Sequence, residues 1–342
     1  MLWQVGPYRD ATVGAVTHVA HSLAEPLPHL PERRPGSIRR TSHLEVLARP
    51  DGGFELTGFA RQGDDTASCR ATLSADLTLV LLDLVPDSPW SVGLVGRRVG
   101  RGFRAAVDQV CEPGSLRSVL LTELPVVAML AGYGTLYSGL LPGPLSDQFI
   151  NGMPVDVCAG WAEAGSMMVH IRGQREIPTP DGPEVPTDRE GWHPMPDLAA
   201  GALRRQRLIE RTGDEVWAMF RDTYARPNGT TSVLHEYTVK ALVSDDSSDD
   251  ISRTGNGADD GDSGGRSGDS GGYGGGRIVA CVATPRVLPW DECPQAAASA
   301  GRLVGRRVGD LRALVRDDLV GTSTCTHLND LLSSLFQAGR LV

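Results

Sequence analysis

The chain has 342 residues, of which 33 are basic and 42 acidic, so its formal net charge is −9 at pH 7. Hydrophobic residues make up 40% of the sequence, enough to bury substantial cores in the two or three domains that this length predicts. Acidic residues outnumber basic ones, so the composition does not indicate the basic surface on which nucleic-acid binding depends. We therefore expect no nucleic-acid partner.

Cysteine spacing and the opening residues bear on the cellular compartment. The six cysteines stand far apart and form no Cys-x-x-Cys pair, so neither a zinc ribbon nor a redox motif is indicated. The first 35 residues contain proline, histidine and arginine throughout, which is unlike a secretory signal peptide. We predict a cytoplasmic protein whose thiols are reduced.

An uncharged run over residues 124–146 is long enough to span a bilayer. It is interrupted by glycines and by Pro125, Pro142 and Pro144, and interrupted apolar runs are typical of protein cores. We predict a buried helix that ends near Leu141, and no membrane partner.

The first part of the chain divides into a tail and a compact unit. Residues 1–36 are rich in proline and are predicted to be disordered. Residues 37–110 form a first unit, with strands over 43–49 and 54–61 joined by a Pro-Asp-Gly-Gly turn. A third, apolar strand over 77–85 and an amphipathic helix over 102–110 complete this unit.

Residues 111–230 form a middle region that is predicted to be largely helical. It contains the uncharged helix and a proline-rich loop over 178–196. Two further helices are predicted over 197–211 and 214–225, with Asp197 and Asp214 as N-caps.

Residues 231–342 form the last unit. It begins with an alternating strand over 235–243 and continues, after an insert, with a strand over 277–283. The insert, 244–276, consists mainly of Asp, Gly and Ser with almost nothing apolar, and we predict a disordered hairpin tip. Two helices with apolar stripes finish the chain, the first over 311–319 and the second over 328–336.

A seven-residue segment, LVGRRVG, occurs twice, as Leu94–Gly100 and as Leu303–Gly309. Upstream, Pro89-Trp90 corresponds to Pro289-Trp290, and each Pro-Trp pair follows an apolar predicted strand. The shared order of strand, Pro-Trp and heptad indicates an internal duplication. We predict an α+β fold made of two degenerate copies of a strand-rich unit followed by helices, with a helical middle region.

Short motifs are distributed over residues 37–110 and 231–340. They are Arg39-Arg40, Asp51-Gly52, Gly96, Val99–Phe103 (VGRGF) and Cys325–Leu328 (CTHL). In these motifs the chain resembles the bacterial domain of unknown function 2889 family. His235–Tyr237 and Trp290–Pro294 resemble the long actinobacterial members.

The chain departs from this family by splitting the pattern between its two copies. The Gly-Phe motif lies only in the first copy and Cys-Thr-His only in the second. The family has no established activity, so the resemblance implies a fold and no reaction.

Cys325 and His327 are the candidate catalytic residues. A cysteine in the first turn of a helix meets free backbone N–H groups and the positive end of the helix dipole, and both lower its pKa. His327 could then act as its base. Because residues two apart on a helix point about 200° apart, the pair converges only if Cys325 precedes the helix. The alternative is that Cys325 is a buried packing residue, as free cysteines commonly are.

The candidate ligand-binding residues are Cys293, Arg97, Arg98, Arg306 and Arg307. Twin arginines could donate bidentate hydrogen bonds to a phosphate or carboxylate, although such pairs more often form a solvated helix face. A metal site made of Cys293, Cys325, His327 and His235 has no short-spaced ligand pair to support it, so no metal is predicted. The sequence has no phosphate-loop motif and no full dinucleotide fingerprint, so no cofactor is predicted.

Two functions are compatible with these patterns. The favoured one is a non-catalytic binding or assembly protein with pseudo-symmetric repeats, because no complete catalytic set is visible. The alternative is a small-molecule enzyme that uses Cys325 with His327 in acyl or thioester chemistry. In either case the expected partner is a small-molecule ligand or another protein.

Overall fold

The computed structural model describes residues 18–20, 23–137, 144–226, 228–245 and 276–341. The disorder predicted for residues 1–17, and most of the predicted insert, 246–275, lie outside the described residues. Residues 25–36 of the predicted disordered tail are described; most of them are exposed, and the Leu27 N–H donates a hydrogen bond to Glu236 Oε1 of the sheet.

Eleven strands are present in the described part of the chain. They are β1 (His18–Ala20), β2 (Leu23–Ala24), β3 (Ile38–Ala48), β4 (Phe54–Gln62), β5 (Asp65–Leu73), β6 (Leu79–Val85), β7 (Thr179–Asp181), β8 (Leu203–Thr212), β9 (Glu215–Ala225), β10 (Thr231–Asp245) and β11 (Gly276–Leu288). Nine of them form one antiparallel sheet in the order β2-β11-β10-β9-β8-β3-β4-β5-β6, and β1 pairs with β7 in a small parallel sheet.

Most of the described helices follow the strands in two groups, one after β6 and one after β11. The α-helices are α1 (Phe103–Val110), α2 (Leu116–Tyr137), α3 (Asp147–Asn151), α4 (Ser166–Gln174), α5 (Leu311–Asp318) and α6 (Thr326–Ser334), with 3-10 helices at Pro89–Leu94, Ala159–Trp161, Cys293–Leu303, Val308–Asp310 and Leu335–Arg340. The α+β prediction is confirmed. Within the described residues no helix is long and apolar enough to cross a membrane.

Two four-stranded meanders make up most of the large sheet. The first runs β3 to β6 and the second β8 to β11, and the first strands of the two meanders pair with each other at the centre. Each meander is followed by a 3-10 helix and then by α-helices. The two halves therefore share one order of elements.

The repeated heptads occupy equivalent positions in these halves. The Gly96 N–H donates to Leu79 O at 2.8 Å, and the Gly305 N–H donates to Ile278 O at 2.7 Å, so each heptad is tied to the start of the last strand of its meander. Gly96 and Gly305 have φ values of +83° and +82°, a conformation that a side chain disfavours. The same turn is thus built twice.

The two helices predicted over 197–211 and 214–225 are wrong, because these residues form the paired strands β8 and β9. The helices were predicted from the spacing of apolar residues. That spacing does not identify the buried face here, because charged residues such as Arg205 and Arg207 are buried on it. The middle region is consequently less helical than predicted.

The predicted boundary at residue 231 falls at the first residue of β10, the third strand of the second meander. The predicted end of the uncharged helix near Leu141 lies outside the described residues, which show α2 as far as Tyr137.

Alternation along β8 separates the two faces of the sheet. Successive side chains of a strand point to opposite faces. Arg205 and Arg207 contact α6, and Arg207 also contacts Glu123 of α2, so these helices cover one face. Arg204 and Gln206 point to the other face, where they line a cavity beneath the loop over residues 184–198.

Candidate functional site

A cluster of ionic side chains lies between the helices and the sheet. The buried charge cluster consists of Arg104, Glu123, Arg205, Arg207, Asp222 and Asp330. Three arginines face three carboxylates, so the cluster is neutral overall, and all members except Arg104 are buried. Ionised groups of this kind are stable in a protein interior only when they are paired and hydrogen-bonded.

Arg205 connects the two halves of this cluster. Its Nε and one Nη donate to the two oxygens of Asp222 at 2.6 and 2.7 Å, and the other Nη lies 2.9 Å from Asp330 Oδ2. Burial by itself would raise the pKa of Asp222, but the charge and hydrogen bonds of Arg205 outweigh it and lower that pKa. In the same way the arginines outweigh burial and lower the pKa of Asp330. Both carboxylates are therefore ionised at neutral pH.

Two imidazoles lie beside Asp222. His235 is the partner of Asp222 across the β9–β10 ladder, and its Nδ1 lies 3.3 Å from Asp222 Oδ2. His327, in the first turn of α6, stacks on His235 with ring centroids 3.8 Å apart and planes inclined by 19°. Burial, and next the proximity of His235, place the pKa of His327 well below its usual value, so its ring is neutral.

Cys325 immediately precedes α6, as the sequence argument for a helix-start thiol requires. The thiol is buried, however, and burial raises its pKa to about 11 despite hydrogen bonds from the backbone N–H groups of His327 and Leu328. Its side-chain partner is Tyr237, whereas the ring of His327 stacks on His235. These contacts disfavour a Cys325–His327 pair.

Cys293 lies near the same tyrosine. The Tyr237 hydroxyl donates to the backbone carbonyl of Cys293 at 3.3 Å. Burial, and next the neighbouring Cys325, raise the pKa of the Cys293 thiol. The buried Tyr237 thus lies beside two thiols whose raised pKa keeps them protonated at neutral pH.

The twin arginines are exposed and are not brought together. Arg97 and Arg98 follow β6 at one edge of the large sheet, and Arg306 and Arg307 lie beside β11 near the other edge. The Arg97 Nε–H donates to Gly93 O at 2.9 Å, within its own turn. A single small ligand therefore cannot contact both arginine pairs.

The other face of the sheet carries a cleft between the two halves. Two cavities, of about 980 and 650 Å³, adjoin at Asp188 and Trp192. Their floor consists of side chains from both meanders: Arg39, Thr41 and Arg61 from β3 and β4, and Arg204, Gln206, Arg221 and Thr223 from β8 and β9. Residues 184–198 and 29–33 form the walls, and we call the two joined cavities the cleft.

A pair of histidines adjoins the cleft: His193 lines its larger cavity, and His43 contacts His193. His43 Nδ1 is 2.6 Å from His193 Nε2, and His193 Nδ1 is 2.8 Å from Thr41 Oγ1. Burial is the largest of the causes that lower the pKa of His43 to about 3 and that of His193 to about 4. The neighbouring His193 and Arg204 add to the effect on His43, and Arg204 adds to the effect on His193. Both rings are neutral at physiological pH.

Three of the four floor arginines, all except Arg61, are paired with carboxylates. The Arg204 Nε–H donates to Glu45 Oε1 at 2.8 Å, and the Arg221 Nε–H donates to Glu236 Oε2 at 2.5 Å. Thr223 Oγ1, in contrast, is buried and has no hydrogen-bond partner among the described residues. The floor therefore offers hydrogen-bonding groups with little uncompensated charge.

Comparison with known proteins identifies one family. A family described as protein of unknown function (DUF2889) matches residues 274–339. The predicted family resemblance is confirmed. No curated protein and no solved structure matches the chain.

The DUF2889 segment contains only part of the residues described above. It runs from the start of β11 through α6, and it supplies Cys325, His327 and Asp330. The other members of the buried charge cluster, and every residue that lines the cleft, precede it. Both sites thus depend on the part of the chain outside the segment.

Sequence reasoning missed the cleft and most of the buried charge cluster. Arg205, Asp222 and His193 carry no motif, and Arg205 lies 125 residues from its partner Asp330. The available signal was the run Arg204–Arg207 between apolar residues, which is unusual for a helix that packs on a core. In a strand, such a run places ionic groups on both faces.

Proposed function

We propose that the protein is a non-catalytic binding protein for a small, neutral, polyhydroxylated molecule, which it holds in the cleft. The observation that carries this proposal is that strands of both halves line one large polar cleft, and that the buried Thr223 hydroxyl at its floor has no partner among the described residues. Buried polar groups are normally hydrogen-bonded, and a ligand hydroxyl would satisfy this one once the atoms that cover it move aside.

The chemical class follows from the charges and from Trp192. Because three of the four floor arginines, all except Arg61, are compensated by carboxylates, an ionic ligand would gain little from them. Trp192 is half-buried between the two cavities and presents an apolar ring that ends in a polar N–H. Sugars and other polyols combine C–H faces with hydroxyls and match this surface. Each of the two cavities also lies within the size range of small-molecule sites.

The contacts of the candidate cysteine favour binding over cysteine chemistry. A nucleophilic thiol needs a lowered pKa and access, and Cys325 has a raised pKa and is buried. The twin arginines are exposed on separate edges and do not form a joint anion site.

A thermal-shift screen tests the proposal. Neutral sugars and polyols are compared with sugar phosphates and sugar acids on the full chain, and hits are measured by isothermal titration calorimetry. A ligand at 100 times its Kd stabilises a protein by about 2.7 kcal/mol, which raises the melting temperature measurably. We expect neutral compounds to do so.

Variants test whether the ligand that raises the melting temperature binds in the cleft. Trp192→Ala and Thr223→Val are expected to abolish the ligand-induced shift, with the melting temperature of each ligand-free variant recorded to verify folding. Trp217→Ala is the matched control, since Trp217 lies in a neighbouring cavity of about 460 Å³ and should leave the shift intact. Stabilisation by charged compounds alone, or a shift that persists in both cleft variants, would overturn the proposal.

A further inference from the structure

Three side chains with metal-ligating atoms converge on the helical side of the sheet. Asp222, His235 and His327 each offer one ligand atom, and these atoms all lie within 4.8 Å of one another. They come from β9, β10 and α6, so the arrangement exists only when the helix has packed on the sheet. It lies on the face opposite the cleft.

The strand geometry fixes two of the three side chains. Asp222 and His235 are cross-strand partners, and an irregularity in the β9–β10 register just before His235 shifts the ladder at this point. Arg205 holds the Asp222 carboxylate by two hydrogen bonds and so orients it. Partners of this kind fix the direction of metal ligands in known sites.

Unsatisfied nitrogens point to a missing partner. His235 Nδ1 and His327 Nε2 are both buried and make no hydrogen bond with any described residue. The approach of His235 Nδ1 to Asp222 Oδ2, at 3.3 Å, lacks the geometry of a hydrogen bond. His235 is only 6% exposed, so water does not readily compensate for this loss. Buried polar groups without partners are uncommon and are frequently explained by an ion or a water molecule.

The donor set determines which ion would fit. Imidazole suits zinc, copper, iron and nickel, whereas calcium and magnesium prefer sites made of oxygens. The arginines and carboxylates of the buried charge cluster cancel, so no excess of negative charge is present to attract a hard cation. In a tetrahedral site with bonds of about 2.0–2.1 Å, ligand atoms are about 3.4 Å apart, so the three atoms need to approach by little more than about 1 Å.

We propose that Asp222, His235 and His327 bind one divalent transition-metal ion of the zinc class. Three protein ligands leave at least one coordination position for water or another small ligand. The site joins the DUF2889 segment, through His327, to the strands β9 and β10 that precede it. It differs from the cysteine-containing set considered in the sequence, since the structure groups Cys293 and Cys325 around Tyr237 instead.

Metal titration of the full chain tests this site. The protein is stripped with a chelator and dialysed, and then titrated with Zn²⁺ by calorimetry and with Co²⁺ by visible absorption. We expect one ion per chain at micromolar affinity or tighter, and a Co²⁺ spectrum typical of nitrogen and oxygen ligands. Binding of no ion at micromolar metal would overturn the proposal.

Two ligand variants and a matched control assign the ion to these residues. His235→Asn and His327→Asn are each expected to weaken binding at least 10-fold and to alter the Co²⁺ spectrum, while circular dichroism shows that the fold persists. His170→Gln is the control, because His170 also has a buried nitrogen without a hydrogen bond and faces one carboxylate, Glu176, but no second histidine. If the double variant His235→Asn/His327→Asn binds as tightly as the original chain, the ion is held elsewhere and the proposal fails.

The cleft and the metal site can fail independently. Trp192→Ala is expected to leave the Zn²⁺ affinity unchanged, since Trp192 lies on the other face of the sheet. His327→Asn is expected to leave the sugar-induced shift in melting temperature unchanged.

Discussion

Arg205 and Asp222 face each other across strands β8 and β9, and the guanidinium grips both carboxylate oxygens. Their side chains are 1% and 0% exposed, so this bidentate ion pair is enclosed by protein. Because the two residues are cross-strand partners, the ion pair fits only one register of the β8–β9 ladder. A shift by one residue would leave two buried charges without partners, which is costly.

Replacing Arg205 by methionine should therefore destabilise the protein strongly. The change retains an unbranched side chain of similar length but leaves Asp222 buried and unpaired. We expect the free energy of unfolding to fall by about 3–5 kcal/mol, the range found when one partner of a buried ion pair is removed. Urea denaturation followed by circular dichroism measures it.

An exposed arginine provides the control for this substitution. Arg34 pairs with Glu215, and their side chains are 59% and 54% exposed. Arg34→Met should change the free energy of unfolding by less than about 1 kcal/mol, as for other surface ion pairs. Equal losses in the two variants would show that the buried pair has no special role in stability.

The histidine pair of the cleft should make stability depend on pH. Burial lowers the pKa of His43 to about 3 and that of His193 to about 4, whereas an imidazole in an unfolded chain has a pKa of about 6.5. Below pH 6.5 the unfolded state therefore binds more protons than the folded state, and the free energy of unfolding falls as the pH falls. At pH 5 the loss amounts to at most about 2 kcal/mol for each imidazole.

Denaturation at pH 7.5 and pH 5 measures this dependence. His327 titrates in the same direction, so the contribution of the cleft is taken from the double variant His43→Gln/His193→Gln. That variant should lose less stability between the two pH values than the original chain does. An unchanged loss would mean that the two rings are not held neutral by burial.

The structure shows which parts of the fold were readable from the sequence. Turn signals and apolar runs predicted β3, β4, β6 and α1, since each has apolar residues on a buried face, such as Leu44 and Val46 of β3. Strands β8 and β9 were mistaken for helices because ionic residues such as Arg205 occupy their buried face, and pattern reasoning assigns ionic residues to the surface.

Only part of the candidate site could be predicted from the sequence, for a related reason. His327 was identified as notable, but its stacking partner His235 belongs to a strand of the sheet, and the two meet only through the packing of α6 on β10. The partner assigned from the sequence, Cys325, is two residues away and points to Tyr237 instead. Contacts between distant segments leave no periodic signal in a single sequence.

Substituting the glycines of the two heptads tests their equivalence. Gly96 and Gly305 have positive φ values, and a Cβ at either position would meet no other atom within 4 Å, so the cost of alanine is that of backbone strain alone. We expect Gly96→Ala and Gly305→Ala each to reduce the free energy of unfolding by about 1–2 kcal/mol.

Two glycines without a positive φ serve as controls for this pair. Gly93 and Gly301 lie in the preceding 3-10 helices and also have open space around them. Their substitution by alanine should be close to neutral, within about 0.5 kcal/mol. If only one of the two heptad variants were destabilised, the halves would not use the turn in the same way.

The insert predicted from its composition should be dispensable for stability. Residues 246–275 lie outside the described residues, but the strands on either side are paired up to Asp245 and Gly276, which are Cα partners. Replacing 246–275 by Asn-Gly would close this hairpin with a two-residue turn. The melting temperature should stay within about 2–4 °C, equivalent to about 1 kcal/mol. A larger drop would show that the insert stabilises the fold.

Thiol reactivity decides between the binding function and the cysteine chemistry suggested by the sequence. All six cysteines are buried and free, and burial raises the pKa of Cys325 to about 11 and those of Cys69 and Cys281 to about 12. Because the thiolate is the reacting form, the native protein at pH 7.4 should react slowly with iodoacetamide at each of them. All six should become reactive when the chain is unfolded in urea. Peptide mass spectrometry after timed labelling gives the rate at each site. Labelling of Cys325 in the native protein at least 10 times faster than of Cys69 would show an accessible, activated thiol and would favour the enzyme over the binding protein.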